Sequence, residues 1–402
     1  MIKIAVIGYG VVGSGVVSVL EKNAERIMKN ANQPITVKYI LDIRDFSDSP
    51  YGHLFANDFN MIVEDPEVSI VVEAIGGIDP ALEFTRRSLE VGKSVVTSNK
   101  ELVAEHGAEL LALAKEKNAN YLFEASVGGG IPVIRPLAQC MTANIITEIY
   151  GILNGTTNYI LTDMEKTGAD FSASLLEAQN KGYAEADPTS DIDGHDTCRK
   201  ICILSSLAFG EHVFPSEVQT EGITGVTIKD LQYAAELGYK IKLLGRSRVV
   251  EDKVSVYVAP HLVSNDSILS MVDGVTNGVV VRGNAVGDVV FCGAGAGRLP
   301  TASSVIADVI DASKHFHAQK WISWAEGRDN FVTSPTLLDS AWYIRTDSSR
   351  EKVEKEFGNV IFSQGSDTEV AFITGVMSGD MIDDILNRGI SAKSQFRVLG
   401  DH

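Results

Sequence analysis

The residues best suited to chemistry lie in one run, Gly182-Tyr183-Ala184-Glu185-Ala186-Asp187-Pro188-Thr189-Ser190-Asp191-Ile192-Asp193-Gly194-His195-Asp196-Thr197-Cys198-Arg199-Lys200. Five acids fall within the twelve positions 185–196, and a lysine follows. A helix predicted over Asp196–Phe209 sets Asp196 and Lys200 four residues apart on one face. A carboxylate beside a lysine holds the ammonium in place and keeps it charged. Lys200 can then give a proton to the alkoxide formed when hydride reaches an aldehyde, and take it back in the reverse direction. Glu185, on the loop, is placed to bind a substrate ammonium. The plainer reading is a surface pair worth a few tenths of a kcal/mol. A calcium loop does not fit, because the Asp spacing breaks the twelve-residue pattern and no glutamate closes it. His195 reads as a surface loop histidine.

A second candidate is Lys100, just after the predicted strand Ser94–Thr97. In open α/β sheets the carboxyl ends of strands face the ligand crevice. A lysine there can stabilise negative charge on a carbonyl oxygen during hydride transfer. Alone, it reads rather as a solvated lysine opening a helix, and the Gly182–Lys200 run turns that reading toward the site.

The third constellation is Gly8-Tyr9-Gly10-Val11-Val12-Gly13, directly after an apolar strand at Ile2–Ile7 and directly before a helical pattern. That context is the one a dinucleotide-binding G-x-G-x-x-G requires. Gly8 permits the tight turn, Gly10 admits the pyrophosphate, and Gly13 lets helix and strand pack closely. The anion lies over the helix N-terminus, where free N–H groups and the dipole favour it. The second strand ends in Leu41-Asp42-Ile43-Arg44. Asp42 suits the ribose diol of NAD and Arg44 the 2′-phosphate of NADP, so these residues leave both cofactors open.

These groups need a scaffold. Strand-like runs at Lys3–Ile7, Ile35–Leu41, Ile70–Ala74, Ser94–Thr97 and Tyr121–Glu124 alternate with helical patterns at Gly13–Asn30, Pro80–Val91 and Ala104–Lys117. Such alternation predicts a Rossmann-type, doubly wound parallel sheet over residues 1–135. Residues 136–300 read as a mixed α/β domain for catalysis and dimerisation. Its strands are expected at Asn144–Leu153, Val254–Pro260, Gly278–Val286 and Asp288–Cys292. Its helices are expected at Thr156–Thr167, Phe171–Lys181, Asp196–Phe209 and Lys229–Leu237. A helix over 301–317 returns to complete the first domain, and a polar stretch with Gly327 and Pro335 reads as a linker. Residues 340–402 read as strand–helix–strand–strand–helix–strand, a ferredoxin-like order, with strands near Ala341–Thr346, Val360–Ser363, Glu369–Thr374 and Ser394–Val398.

The 402 residues exceed one core and predict two or three domains. A net charge of −18 argues against nucleic acid or an anionic membrane surface as partner. No apolar run reaches the length of a membrane span, and the N-terminus enters a strand at once rather than reading as a targeting peptide. Cys140, Cys198, Cys202 and Cys292 form no zinc set and read as reduced thiols, so a cytoplasmic protein is expected.

The chain resembles the homoserine dehydrogenases. The resemblance rests on Ala178, Gly182-Tyr183, Asp187-Pro188, Asp191, Gly194-His195-Asp196 and Lys200, which fill every position of that family's signature. Flanking runs agree: Val72–Gly77, Ser98-Asn99-Lys100, Glu124–Pro132, Asn154-Gly155-Thr156-Thr157-Asn158, Glu236–Lys242 and Gly293–Gly297 followed by Pro300-Thr301-Ala302. It covers about residues 1–330. It implies reversible NAD(P)H-dependent reduction of aspartate 4-semialdehyde to homoserine, in threonine and methionine biosynthesis, with Lys200 as proton donor and acceptor. It further implies that Lys100 and Asp196 work beside Lys200, that Glu185, Asp191, Asp196 and Lys100 bind substrate, and that Gly8, Gly10, Val11, Val12, Gly13, Arg44, Ile75, Gly76, Lys100, Gly182 and Gly297 line the cofactor. Because the family tends to place an arginine at position 44, NADP is favoured over NAD. Glu124, Val127, Gly129 and Ile131 match positions that hold sodium in several members, largely through backbone carbonyls. A homodimer or homotetramer is expected. The tail departs from the family's effector-binding ACT pattern: Asp347-Ser348-Ser349-Arg350 lacks its proline and glycine, so a degenerate ACT-like module used for assembly is expected.

Overall fold

The computed structural model describes residues 1–316, 318, 320, 322–364 and 369–400. Residue 317, at the end of the expected helix 301–317, and residues 365–368 and 401–402 of the expected module lie outside them.

The first sheet is parallel, in the order Ile35–Leu41, Ile2–Ile7, Val68–Glu73, Ser94–Thr97, Tyr121–Leu122. Its central strands are nearly continuous apolar runs because both faces are covered; Ile4, Val6, Ile70, Val72, Val95 and Val96 are fully buried. The order reverses at Ile2–Ile7, so the crevice of this sheet opens where Gly8–Gly13 begins. The helix expected as one piece over Gly13–Asn30 is two, Val11–Lys22 and Ala24–Ala31, separated by Asn23 with φ −112° and ψ 19°. The break redirects the second helix so that Ile27 and Ala31 reach the core. The helix Arg298–Lys314 packs against Val11–Lys22 and the sheet. A Cβ at Gly15 would come within 2.5 Å of the Arg298 carbonyl oxygen, so the two helices meet at a glycine.

The second sheet is mixed. Gly287–Ala294, Thr276–Gly283, Ile146–Ile152, Tyr239–Val250 and Lys253–Ser264 lie side by side, antiparallel throughout. Sequence reading placed no strand at Tyr239–Val250. Its Lys240, Lys242, Arg246 and Arg248 mask the alternation, yet Lys242 and Arg246 are buried because each is paired. Lys242 donates to Asn158 Oδ1, the Val272 carbonyl and Asp273, while Arg246 donates to Glu148 at 2.6 Å. The strand expected over Gly278–Val286 ends at Gly283 and turns back at 284–286. The expected linker contributes a short strand, Val332–Thr333, parallel to Lys253–Ser264.

Beyond it, Trp342–Thr346, Ile361–Phe362, Val370–Ile373 and Ala392–Val398 assemble in the order fourth, first, third, second, with helices Arg350–Phe357 and Gly379–Asn387 between them in sequence. This sheet continues the second one: Arg397 and Val398 pair in parallel with His261 and Leu262. Arg345 reaches across to Asp230 at 2.7 Å, and the Tyr343 hydroxyl donates to the same carboxylate. At the departure from the family turn, Ser349 caps the helix Arg350–Phe357 by accepting from Lys352 N, and Asp347 pairs with Lys393.

Candidate active site

The helix His195–Phe209 starts after Gly194, whose φ of +86° is a left-handed conformation open to glycine. Its first two turns bury Asp196 and Lys200, 2% and 7% exposed. Lys200 Nζ donates to Asp196 Oδ2 and to the Leu153 carbonyl, each at 2.7 Å. Lys100 Nζ approaches the other oxygen, Asp196 Oδ1, at 2.5 Å. Asn154 Nδ2 donates to Asp191 at 2.7 Å and to Asp196 at 2.8 Å, while its Oδ1 caps the helix Gly155–Thr167 by accepting from Thr157 N. One carboxylate therefore gathers two lysines, and one asparagine aligns two acids.

The electrostatics follow from that geometry. Burial pushes the Asp196 carboxyl up, but the ammonium groups of Lys200 and Lys100 outweigh it and hold its pKa well below the usual range. Burial lowers the Lys200 pKa below that of an ordinary lysine; Asp196 opposes this and Lys100 adds to it. Burial also works against the charge on Lys100, but Asp196 raises its pKa. Asp191 is raised by burial and by Asp196. The cluster holds one lysine firmly charged and another eased toward neutrality, the state a proton acceptor needs.

Lys100 is aimed by a buried chain. Glu73, at the end of its strand, accepts from Ile75 N at 2.7 Å and from the Thr97 hydroxyl at 2.6 Å. Thr97 in turn accepts from Asn99 N, and Asn99 caps the helix that Lys100 opens, accepting from Leu102 N. The Asn99 amide also donates to the Gly77 carbonyl at 2.6 Å, tying the turn at Ile75-Gly76-Gly77 to the start of that helix.

At the first strand, Gly8 has φ +90°, and a Cβ there would lie 2.6 Å from the Ala74 oxygen. A Cβ at Gly13 would lie 1.8 Å from the Gly8 oxygen, whereas Gly10 meets only the Arg44 guanidinium at 3.7 Å. Gly10 caps Val11–Lys22 with no side-chain hydrogen bond and no acid in the first turn, so the N–H groups of Val11, Val12 and Gly13 stay available for an anion. The backbone cradle thus fits a dinucleotide pyrophosphate. Arg44 folds back onto Asp42 through two hydrogen bonds of 2.9 Å, and Asp42 also accepts from Tyr9 N at 2.6 Å. The Arg44 guanidinium, with the Arg44 and Tyr9 N–H groups, holds the Asp42 carboxyl down to about 2 against its partial burial.

Family models described as homoserine dehydrogenase, NAD binding domain, and as homoserine dehydrogenase match residues 8–124 and 132–310. The homoserine dehydrogenase of Pseudomonas aeruginosa is 44% identical over 311 residues, 77% of this chain and 72% of that protein. That of Bacillus subtilis is 40% identical over 319 residues, 78% and 73% of the two chains. The crystal structure of a homoserine dehydrogenase from Thiobacillus denitrificans superposes with TM-score 0.92 at 36% identity, covering 99% of this chain and 98% of that one. This chain belongs to the homoserine dehydrogenase family. It is an NAD(P)-dependent oxidoreductase acting on a CH–OH group. A hyperthermophilic archaeal homoserine dehydrogenase solved in complex with NADPH matches at TM-score 0.67 and 30% identity, covering 78% of this chain and 97% of that one.

Not every residue expected for a homoserine dehydrogenase site joins the cluster. Glu185 stays exposed on its loop, where its carbonyl accepts from Gln179, and its carboxylate has no hydrogen bond or ion pair among the described residues. Gly182 and Gly297 have φ of +73° and +116°, and Ile75 and Gly76 lie on the exposed turn that Glu73 anchors. The sequence reading missed Asn154, Glu73 and the Leu153 carbonyl as site groups. Asn154 carried a signal: an asparagine at a strand end, opening a helix, is a cap. Glu73 carried another, an acid closing an apolar strand.

The positions expected to hold sodium are arranged differently from a carboxylate cage. Both Glu124 carboxylate oxygens are taken up by Val133 N, Ile134 N and Arg135 N, at 2.7–2.8 Å. The Gly129 carbonyl accepts from the Ser304 hydroxyl at 2.7 Å. The donors left to a cation are backbone carbonyls, which suit a hard, weakly demanding ion. Among the described residues no group of three or more His, Cys, Asp or Glu is placed to hold a metal, and no helix is long and apolar enough to cross a membrane.

Proposed function

We propose that this homoserine dehydrogenase interconverts homoserine and aspartate 4-semialdehyde with Lys200 as the proton carrier. The observation that carries this is the pairing of Lys200 with both Asp196 and the Leu153 carbonyl, next to Lys100. A bound nicotinamide supplies the hydride acceptor. As homoserine is oxidised, neutral Lys200 takes the hydroxyl proton while the C–H hydride departs, leaving the aldehyde. In reduction, the protonated lysine returns the proton to the forming alkoxide. Lys100 places positive charge beside the reacting oxygen, and Asp196 holds both ammonium groups in register. Asp191, Glu185 and Asp196 provide the negative charge that a substrate ammonium seeks, with Glu185 at the loop edge.

The cofactor rests on Gly8, Gly10, Val11, Val12 and Gly13, with Ile75, Gly76, Lys100, Gly182 and Gly297 around it. Arg44, 57% exposed in its side chain, can turn from Asp42 to a 2′-phosphate, which supports NADP. Sodium, where bound, sits on the carbonyls of Glu124, Val127, Gly129 and Ile131. Residues 1–135 with the helix from Arg298 bind dinucleotide, residues 136–300 bind substrate and pair subunits, and residues 340–402 form an ACT-like module. The assembly is a homodimer or homotetramer in the cytoplasm.

Incubation with homoserine and either NADP or NAD, followed by absorbance of the reduced cofactor, tests the reading. Reduction of both, faster with NADP, is expected at alkaline pH. No reduction of either cofactor overturns it.

A further inference from the structure

The Leu153 carbonyl that anchors Lys200 has a second donor. Asn277 Nδ2 reaches it at 2.8 Å. Asn277 precedes Gly278, which pairs with Ile152 in the adjoining strand, so the sheet register brings residues 277 and 153 together. Its backbone neighbour is fixed as well: Asn158 Nδ2 donates to the Thr276 carbonyl, and buried Lys242 holds Asn158 Oδ1. Gly295 lies directly on the Asn277 amide, since a Cβ there would come within 2.1 Å of Cγ and Nδ2.

The other half of this amide is unsatisfied. Asn277 is fully buried, and its Oδ1 has no hydrogen-bond partner among the described residues. A buried acceptor without a partner costs folding free energy, and an apolar residue of the same shape would avoid that cost. Leu153 O already has Lys200, so it does not need Asn277 to be satisfied. Stability alone does not account for an asparagine here.

We propose that Asn277 is a positioning residue for the proton carrier, fixing the Leu153 carbonyl so that Lys200 faces the substrate in one direction. A neutral lysine amine carries two N–H groups and one lone pair. Anchoring those N–H groups on Asp196 and Leu153 O leaves the lone pair a single direction, where the substrate hydroxyl must lie. If the carbonyl swings, the lone pair swings with it, and misplacement of this kind is costly to rate rather than to binding. Gly295 keeps the amide from rotating away. This inference rests on the proton role assigned to Lys200.

The test compares Asn277→Leu, Asn277→Ala and Lys200→Met in the full chain. Melting temperature, NADPH affinity by fluorescence, and kcat and KM for homoserine are measured for each. Asn277→Leu is expected to melt at or above the parent temperature and to bind NADPH normally, with kcat falling about ten- to a hundredfold and KM little changed. Asn277→Ala, which opens a small cavity, is expected to melt lower but lose kcat alike. Parent-like kcat in Asn277→Leu beside an inactive Lys200→Met overturns the positioning role and leaves the lysine's role standing. Loss of kcat that tracks loss of melting temperature and NADPH binding also overturns it, in favour of a structural role. Should Asn277→Leu not fold, Asn277→Ala decides by the same comparison. Parent-like kcat in Lys200→Met instead removes the reading underneath.

Discussion

The dinucleotide turn is made by six consecutive residues, Gly8–Gly13, and works through backbone. The cluster around Asp196 draws on Lys100, Leu153–Asn154, Asp191 and Asp196–Lys200, and works through side chains brought together by two sheets. The first is limited by space: Gly8 and Gly13 are there because a Cβ has nowhere to go, while Gly10 leaves the approach to the helix N-terminus open. The second is limited by charge balance around the buried pair Asp196 and Lys200, neither of which would be stable there without its partners. Perturbing the turn should therefore block cofactor binding sterically, whereas perturbing the cluster should change rate and pH dependence with cofactor binding largely intact.

The largest effect is expected for Lys200→Met, which removes the proposed proton carrier and keeps the side-chain volume. Its kcat should fall about a thousandfold or more while NADPH affinity holds. Gly13→Ala probes the other region: with Cβ only 1.8 Å from the Gly8 oxygen, the turn must open. NADPH affinity should drop about a hundredfold, with destabilisation of about 1–3 kcal/mol seen in thermal melts. Asp196→Asn leaves two lysines without their shared counter-charge. Breaking a buried pair this way costs about 3–5 kcal/mol. It also removes the group that opposes burial at Lys200, so the lysine pKa falls further. Homoserine oxidation, which needs the neutral amine, should then begin its rise at lower pH, but with a lower plateau. Arg44→Ser should have the smallest effect, a loss of about tenfold in NADP over NAD preference read from kcat/KM.

The same contrast explains what the sequence disclosed. The turn was legible because its meaning is local: strand, glycines and helix follow one another. Asp196 and Lys200 were legible because residues four apart on a helix share a face. Lys100 was legible as a strand-end lysine, but its meeting with Asp196 depends on packing between helices far apart in sequence. Asn277 was invisible, since nothing near it in sequence reveals that residue 153 lies across the sheet. The strand Tyr239–Val250 was missed for a related reason. Lys242 and Arg246 read as exposed, and partners distant in sequence, among them Asp273, Asn158 and Glu148, make their burial possible. Glu185 was singled out by its place on the acidic loop and by the family resemblance, and the fold leaves it outside the hydrogen-bonded cluster.

The central claim is that Lys200 carries the proton and that the cluster tunes it. The direct measurement is kcat for homoserine oxidation across pH, from neutral to strongly alkaline, in the parent chain and in Lys200→Met. The parent rate should rise through an ionisation below the ordinary lysine value, because burial and Lys100 lower the Lys200 pKa. In Lys200→Met that rise should vanish along with most of the rate. A variant that keeps both the rate and the ionisation would contradict the account.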